Sequence, residues 1–481
     1  MGTGSSGGAI GRRAVLAGGA ALLATPALRM ARAAEPDALD AILAAPGLAG
    51  HTGFALVDLA TGRTVEARGA DVGRPPASVA KIITTLYALD ALGPDYRFRT
   101  SVRGDGAVEG GTLAGDLVLA GGGDPVFDTD ALAGLAAALR ERGLAGVGGR
   151  LLVADGALPA VAEIDAGQPA EAAYNPAIAG INLNFNRVFL AWKAGGDGLA
   201  FSAPDTEGGG VAMADFGAEL SDGAPAHRLE AGREIWTLPK DGLRRQGSIW
   251  LPVRAPAAYS GAAFAALAGG AGLPLPPPEI VAAAPDAGLL AVHDSPPLTP
   301  LLRDMLLYST NLTAEVVGLR ASQARGLAPD GLAASGAAMT AWARSRFGIR
   351  DAAFANHSGL SDATRITPAD LVAVLRQAEA LGLPELLKPR PILDAGRQPL
   401  DAAAGASVVS KTGTLDFVSG LAGYLTGKRR RLAFAILAAD PDRRAAIAPE
   451  ERADPPGGKA WTARARGQEQ ALLRRWAALY A

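Results

Sequence analysis

The chain changes character twice along its length. Helix-like sequence gives way near residue 97 to a long glycine-rich stretch of short strand-like runs and turns, such as Gly121-Gly122-Gly123-Asp124-Pro125, and resumes only after residue 287. Pro274, Pro276, Pro277 and Pro278 close that stretch as a stiff connector. Such an order predicts one domain split by an insertion: residues 34–96 and 288–481 form the split domain, and 97–287 a β-rich region of two small subdomains. The 481 residues, 49% hydrophobic, suffice for more than one core. The expected class is therefore α+β and multidomain. No fixed-period repeat occurs, which excludes solenoids and propellers.

Residues 1–33 read as an export leader. Arg12 and Arg13 precede a short apolar run, Ala14–Leu23, and Ala31-Arg32-Ala33-Ala34 offers a cleavage site before Ala34. The run is far shorter than the roughly 20 residues that span a bilayer. The arginine pair, the weak hydrophobicity and the further basic residues Arg29 and Arg32 resemble a twin-arginine signal, although Gly11 stands where Ser or Thr is usual. A general secretory signal with two incidental arginines is the alternative. Either route predicts the periplasm. No later segment reaches spanning length without Gly, Pro or charge, and no cysteine is present to carry a lipid.

A net charge of -2 provides no basic field, so nucleic acid is not an expected partner. The absence of cysteine removes disulfides, thiolate zinc sites and cysteine nucleophiles, and the four histidines show no HExxH spacing. Neither a metal nor another cofactor is expected. The mature chain has no G-x-S-x-G and no P-loop motif. Local patterns predict a short helix at 37–47, a hairpin from Gly53–Asp58 and Thr64–Ala67, and a buried helix over Ser78–Leu92 with Ile82, Leu86, Leu89 and Leu92 at helical spacing. Further helices are expected over Leu298–Ala321 and Leu332–Phe347. A second hairpin joins Val418–Leu425 to Arg431–Ala438, and an amphipathic helix, Gln468–Leu479, closes the chain by packing onto the split domain.

Three short motifs carry chemistry. Ser78-Val79-Ala80-Lys81 places a hydroxyl and an amine on one face of a helix start, where a partly desolvated lysine can take the proton of a serine nucleophile. The Ser78 N–H is then placed to meet a developing oxyanion. Alone, the same spacing also describes a capping serine followed by a solvated lysine. Ser309-Thr310-Asn311 lies between two helical runs: Ser309 can pass a proton to a leaving amine and Asn311 can orient the lysine, or either can cap the second helix. Lys411-Thr412-Gly413-Thr414 continues a strand from Ser407, which can pair with an extended peptide. Lys411 and Thr412 offer charge and a hydroxyl to a carboxylate, Gly413 permits close backbone approach, and the Thr414 N–H is a second oxyanion donor. Only seven of the 46 basic residues are lysine, and each motif occurs once.

S-x-x-K, S-x-N and K-T-G in that order form the signature of the penicillin-recognising serine enzymes. With about 230 residues between the first two motifs, the chain resembles the class C low-molecular-mass penicillin-binding proteins, the D-alanyl-D-alanine carboxypeptidase/endopeptidases. Gly115-Asp116-Leu117, Gly123-Asp124-Pro125, Asn311-Leu312-Thr313-Ala314-Glu315, Ser358-Gly359-Leu360-Ser361 and Gly420-Leu421-Ala422-Gly423-Tyr424 extend the resemblance over nearly the whole mature chain. Thr310 departs from the usual Asp, and Asn356-His357 from the common Asp-Gly. The resemblance implies a β-lactamase/transpeptidase-like domain, an antiparallel sheet flanked by helices. It also implies attack by Ser78 on peptidoglycan stems ending in D-Ala-D-Ala, and inhibition by β-lactams that acylate the same serine. A β-lactamase or esterase on the same fold, and a non-catalytic stem-binding or β-lactam-sensing envelope protein, are the rival readings. Tyr308, one residue before the slot where class C β-lactamases place tyrosine, argues against the first rival.

The leader has its own test. Replacing Arg12 and Arg13 by lysine should block export, because the twin-arginine route reads the guanidinium pair whereas a general signal needs only charge. Undiminished mature protein outside the cytoplasm would return the leader to the general class.

Overall fold

The computed structural model describes residues 38–394, 396–400 and 405–481; the expected leader lies outside them. Its central feature is a six-stranded antiparallel sheet in the order Lys388–Arg390, Ser407–Leu415, Val418–Thr426, Arg431–Ala439, Thr52–Asp58, Thr64–Arg68. The hairpin at the start of the chain and the hairpin near its end share this sheet, with Phe54 opposite Ile436. Chain segments about 380 residues apart thus form one unit.

Alternation along each strand assigns two faces. Phe54, Leu56, Leu421, Phe434 and Ile436 point one way, onto the closing helix Gly458–Tyr480. There the Trp476 ring lies 5.6 Å from Phe54 and 5.9 Å from Phe434. Ala55, Val57, Ala422, Ala433, Ala435 and Leu437 point the other way, onto a helical layer that includes Lys81–Leu92, Asn311–Ala324, Leu332–Phe347 and Pro368–Ala378. The small residues on this face let the helices approach closely. Among the described residues, no helix is long and apolar enough to cross a membrane.

The stretch between the first two motifs packs around a separate core that includes Leu117, Leu139, Leu151, Val153 and Phe264. Its largest sheet runs Pro278–Val281, Leu151–Ala154, Leu117–Ala120, Arg99–Gly104, Gly288–Asp294. Gly288–Asp294 therefore belongs to the inserted region's sheet, past the boundary expected at 287; the proline-dense segment precedes two more strands rather than the exit. The region is also less purely β than its glycines suggest. Thr129–Glu141, capped by the Asp128 side chain, and Pro256–Gly270, opened by a proline, are helices of 13 and 15 residues. Alanine and glycine on all sides of the second blur its amphipathic signal.

Other local expectations need adjustment. The first helix covers only Leu39–Leu43. The closing helix starts ten residues early, at Gly458, with Trp461 and Ala465 continuing its buried face. The Ser78–Leu92 helix begins as a 3-10 turn, Ala77–Ala80, and becomes α-helical at Lys81. The junction expected at Ser309-Thr310-Asn311 is present, and what the structure adds is its form: Ser309, at φ 62°, ends the Leu298–Tyr308 helix before the Asn311–Ala324 helix starts.

Gly318 lets the Asn311–Ala324 helix meet the buried His357 ring, because a Cβ there would lie 2.1 Å from a ring carbon. Gly318→Ala should destabilise the protein by about 1–3 kcal/mol through overpacking, outweighing the roughly 1 kcal/mol gained in helix propensity. A lowered thermal midpoint is the expected result; an unchanged or raised one would contradict this packing.

Candidate active site

The three motifs, remote in sequence, converge. Ser78 sits in the 3-10 turn and is half-buried, while Lys81 opens the following helix with no exposure at all. The Lys81 Nζ lies 2.9 Å from Ser78 Oγ, 2.8 Å from Asn311 Oδ1 and 2.8 Å from the Ser358 carbonyl oxygen. Burial lowers the Lys81 pKa to about 7, against the opposing field of Glu315. Glu315 is itself fully buried, and burial raises its pKa, while the His357 and Ser358 N–H groups, which donate to its two oxygens at 2.9 and 2.8 Å, pull it down. Glu315 thereby holds the loop whose carbonyl meets Lys81.

The second motif turns a corner. The left-handed backbone at Ser309 projects its hydroxyl toward the third motif, where Lys411 Nζ donates to Ser309 Oγ at 2.8 Å and to the Thr412 carbonyl at 2.7 Å. Lys411 is nearly fully buried; burial first, then the neighbouring Lys81 and Arg390, push its pKa well down. Asn311 has its amide direction fixed, since its Nδ2 donates to the Tyr174 carbonyl of the inserted region at 3.0 Å and leaves Oδ1 for Lys81.

Backbone geometry brings the strand to the serine. A Cβ on Gly413 would meet the Pro76 carbonyl at 2.3 Å and the Ser78 nitrogen at 2.9 Å, so glycine alone permits this approach. Gly359, at φ 74°, presses on the other side, with the Ala77 carbonyl 2.0 Å from its virtual Cβ. Between them Ala77 is held at φ 46°, a left-handed conformation rare for alanine and costing of order 1–3 kcal/mol. Ser78, Ser309, Asn311, Tyr174 and Thr414 line one cavity of about 280 Å³.

Strand alternation sends Thr412 and Thr414 the other way from Lys411 and Gly413. Their hydroxyls accept from Arg390 and Arg466, each at 3.2 Å, beside a second cavity of about 530 Å³ that also borders Gly413. Thr414 lines both cavities. At the base of the second, Glu469 accepts from Ser419 at 2.6 Å, and burial raises its pKa to about 7. Among the described residues, no group of three His, Cys, Asp or Glu could hold a metal.

All eight residues singled out from the sequence meet at or beside this cleft: Ser78, Lys81, Ser309, Asn311, Lys411, Thr412, Gly413 and Thr414. Sequence reasoning gave no role to Glu315, the Ser358 carbonyl, Tyr174, Arg390 or Arg466. Glu315 had a signal, since it lies four residues after Asn311 on the same face of the helix, flanked by the apolar Ala314, Val316 and Val317. Contacts made by a backbone carbonyl, or by a residue from another part of the fold, leave no local trace.

This geometry has counterparts in known proteins. The profile of the D-Ala-D-Ala carboxypeptidase 3 (S13) family matches residues 36–454. The chain is 29% identical over 452 residues to a D-alanyl-D-alanine carboxypeptidase from Actinomadura sp. (strain R39), covering 86% of this chain and 83% of that one. It is 30% identical over 433 residues to carboxypeptidase DacB of Mycolicibacterium smegmatis, covering 85% and 81%. In fold it is similar to penicillin binding protein 4 of Haemophilus influenzae, with a TM-score of 0.69 at 19% identity over 83% of this chain and 92% of that one. The same Haemophilus protein complexed with a β-lactam gives a TM-score of 0.65. Since the profile runs unbroken from before the first motif to beyond the third, enclosing the converged residues and the insertion alike, the chain belongs to the D-Ala-D-Ala carboxypeptidase 3 (S13) family.

Proposed function

We propose that this chain is a serine DD-peptidase that cleaves D-alanyl-D-alanine ends of peptidoglycan stems through an acyl-enzyme on Ser78, with Lys81 as the base. The observation that carries the reading is the set of partners around the Lys81 amine. The Asn311 Oδ1 and the Ser358 carbonyl can only accept hydrogen bonds. A neutral amine has two protons, which these acceptors take, and one lone pair, which is left facing the Ser78 hydroxyl at 2.9 Å. Burial favours that neutral form.

The reaction follows from this arrangement. Ser78 Oγ attacks the carbonyl carbon of the penultimate D-alanine as its proton moves to Lys81. The Ser78 and Thr414 N–H groups face the oxyanion, the latter brought alongside by the Gly413 approach. Because Lys411 donates to Ser309, the Ser309 hydroxyl keeps its own proton free for the departing nitrogen; the C–N bond breaks as that proton arrives, and the proton taken up by Lys81 replaces it on Ser309, leaving Lys81 neutral for the water step. Water then attacks the ester, gives a proton back and frees the stem and Ser78. Thr412 and Thr414 accept from arginines, so their O–H groups can donate to the carboxylate of the leaving D-alanine. A β-lactam has the same carbonyl and carboxylate and would acylate Ser78 by the same route. Tyr308 is 71% exposed and it is Ser309 that Lys411 contacts, which tells against the β-lactamase reading. Such a substrate lies outside the cytoplasm, and the leader supports export by the twin-arginine route.

Ser78→Ala should abolish both penicillin labelling and D-alanine release; labelling in the folded variant would contradict the nucleophile assignment. The two lysines should separate. Arginine keeps charge but hardly ever yields a proton, with a pKa above roughly 12. Lys81→Arg should lose acylation by orders of magnitude, about 4 kcal/mol of barrier per thousandfold, while Lys411→Arg should mainly weaken recognition. Second-order acylation rates with a fluorescent penicillin, after circular dichroism confirms folding, decide the matter. A Lys81→Arg variant as fast as wild type, or more active than Lys411→Arg, would overturn the base assignment.

A further inference from the structure

A third cavity, of about 630 Å³, lies where the inserted region meets the two helices of the second motif. It borders Tyr308 and Thr310, on either side of Ser309, yet shares no residue with the cavity that holds Ser78. Its walls combine aromatic surface with acid. Phe185 and Trp250 come from the inserted region, and Tyr308, 71% exposed, from the end of the Leu298–Tyr308 helix. Asp128, Asp205 and Asp304 supply carboxylates.

The cavity is held open by an expensive piece of backbone. Asn184, Phe185 and Asn186 are three consecutive left-handed residues, at φ 51°, 57° and 50°. Such a turn persists only where its surroundings over-determine it. Here the Asn186 amide donates to the Ala177 carbonyl and to Asn182 Oδ1 at 2.8 and 2.7 Å, and the Asn184 amide donates to Thr129 Oγ1 and the Pro204 carbonyl at 2.9 and 3.2 Å. The two asparagines are consumed by the scaffold, while Phe185 and the following Arg187 line the cavity. The Arg187 guanidinium lies 5.0 Å from the Phe185 ring and 5.3 Å from the Trp250 ring, and its buried Nε has no partner in the protein. Thr313, 1% exposed, is another lining residue, and its hydroxyl likewise has no partner in the protein. Both atoms are buried behind the lining rather than open to the cavity, so the cavity's recognition surface is its aromatic rings and carboxylates.

Resting on the peptidase reading above, we propose that this cavity binds the N-acetylated amino-sugar backbone of peptidoglycan, so that the stem attached to it is delivered beside the catalytic cleft. The charge decides between the two chemistries of that polymer. Stem peptides carry carboxylates, and three lining aspartates against the single arginine Arg187 disfavour them. Amino sugars linked through their lactyl amide are neutral. Their apolar ring faces suit Phe185, Trp250 and Tyr308, and their hydroxyls suit the aspartates. The volume falls within the roughly 300–1,000 Å³ of small-molecule sites. The Thr412–Thr414 side of the cleft has the opposite character, with Arg390 and Arg466, and suits the peptide's carboxylates.

Two measurements on the full mature chain test this. The first is binding of the neutral N-acetylglucosamine tetrasaccharide by saturation-transfer NMR and tryptophan quenching. Wild type should bind it, Trp250→Ala and Asp205→Asn should weaken binding at least tenfold, and Trp250→Phe should retain part of it. The second is the ratio of kcat/KM for a disaccharide-linked pentapeptide to that for the free pentapeptide, which should be well above one in wild type and fall toward one in Trp250→Ala. The internal ratio removes any general loss of folded enzyme. No binding by wild type, a wild-type ratio near one, or an equal loss on both substrates in Trp250→Ala would overturn the proposal. Turnover of the free pentapeptide by wild type reports separately on the Ser78 reading.

Discussion

The amine of Lys81 is the point on which the molecule's active region depends. It is wholly buried, and its three contacts come from three separate parts of the chain: the turn before its own helix, the second motif, and the 357–358 loop. A buried amine without such acceptors would be costly, and acceptors without the amine would be left unmet. Each part therefore needs the others. Glu315 extends the arrangement one step outward, by accepting from both N–H groups of the loop that presents the Ser358 carbonyl. The result is a buried polar cluster at the meeting of several helices, and such a cluster specifies one geometry as long as every member is satisfied.

The strand edge supplies the second half of the site by packing rather than polarity. Gly413 and Gly359 close on the Pro76–Ser78 backbone from two sides and hold Ala77 in a left-handed conformation that alanine would not choose. A second left-handed residue, Ser309, turns the next helix so that its hydroxyl meets Lys411. Both departures from easy backbone geometry flank residues that face the cleft. The large six-stranded sheet, with central strands buried on both faces, is rigid enough to sustain them.

Much of this was legible in the sequence, for identifiable reasons. Two short apolar runs of strand length about a turn announce a hairpin buried on both faces, and Val418–Thr426 with Arg431–Ala439 about Gly427-Lys428 follows that rule. The three motifs were legible because each occurs once and lysine is scarce. The misses share a cause: tertiary contacts overrode or extended a local pattern. The break between the two helical runs at Ser309 was legible, but its left-handed turn was not, since the need for it arises from Lys411, about a hundred residues later. Thr129–Glu141 hid among glycines, although Asp128 and its leucines mark a helix start. The proline-dense segment looked like an exit, yet Gly288–Asp294 returns to pair with Arg99–Gly104, a partner nearly 190 residues upstream. Tyr174, which orients Asn311 through a backbone carbonyl, could not have been found from its side chain at all.

The central claim is that burial, more than any single charge, makes Lys81 a base. The most direct measurement is the second-order rate of Ser78 acylation by a penicillin as a function of pH. Only neutral Lys81 can take the serine proton, so the rate should climb as pH rises through the lowered pKa, reach half its limit near pH 7 and then level off. A rate that stays flat from pH 5 to 9, or that rises only near the ordinary lysine pKa of about 10.4, would show that Lys81 stays charged under working conditions and that another group takes the proton.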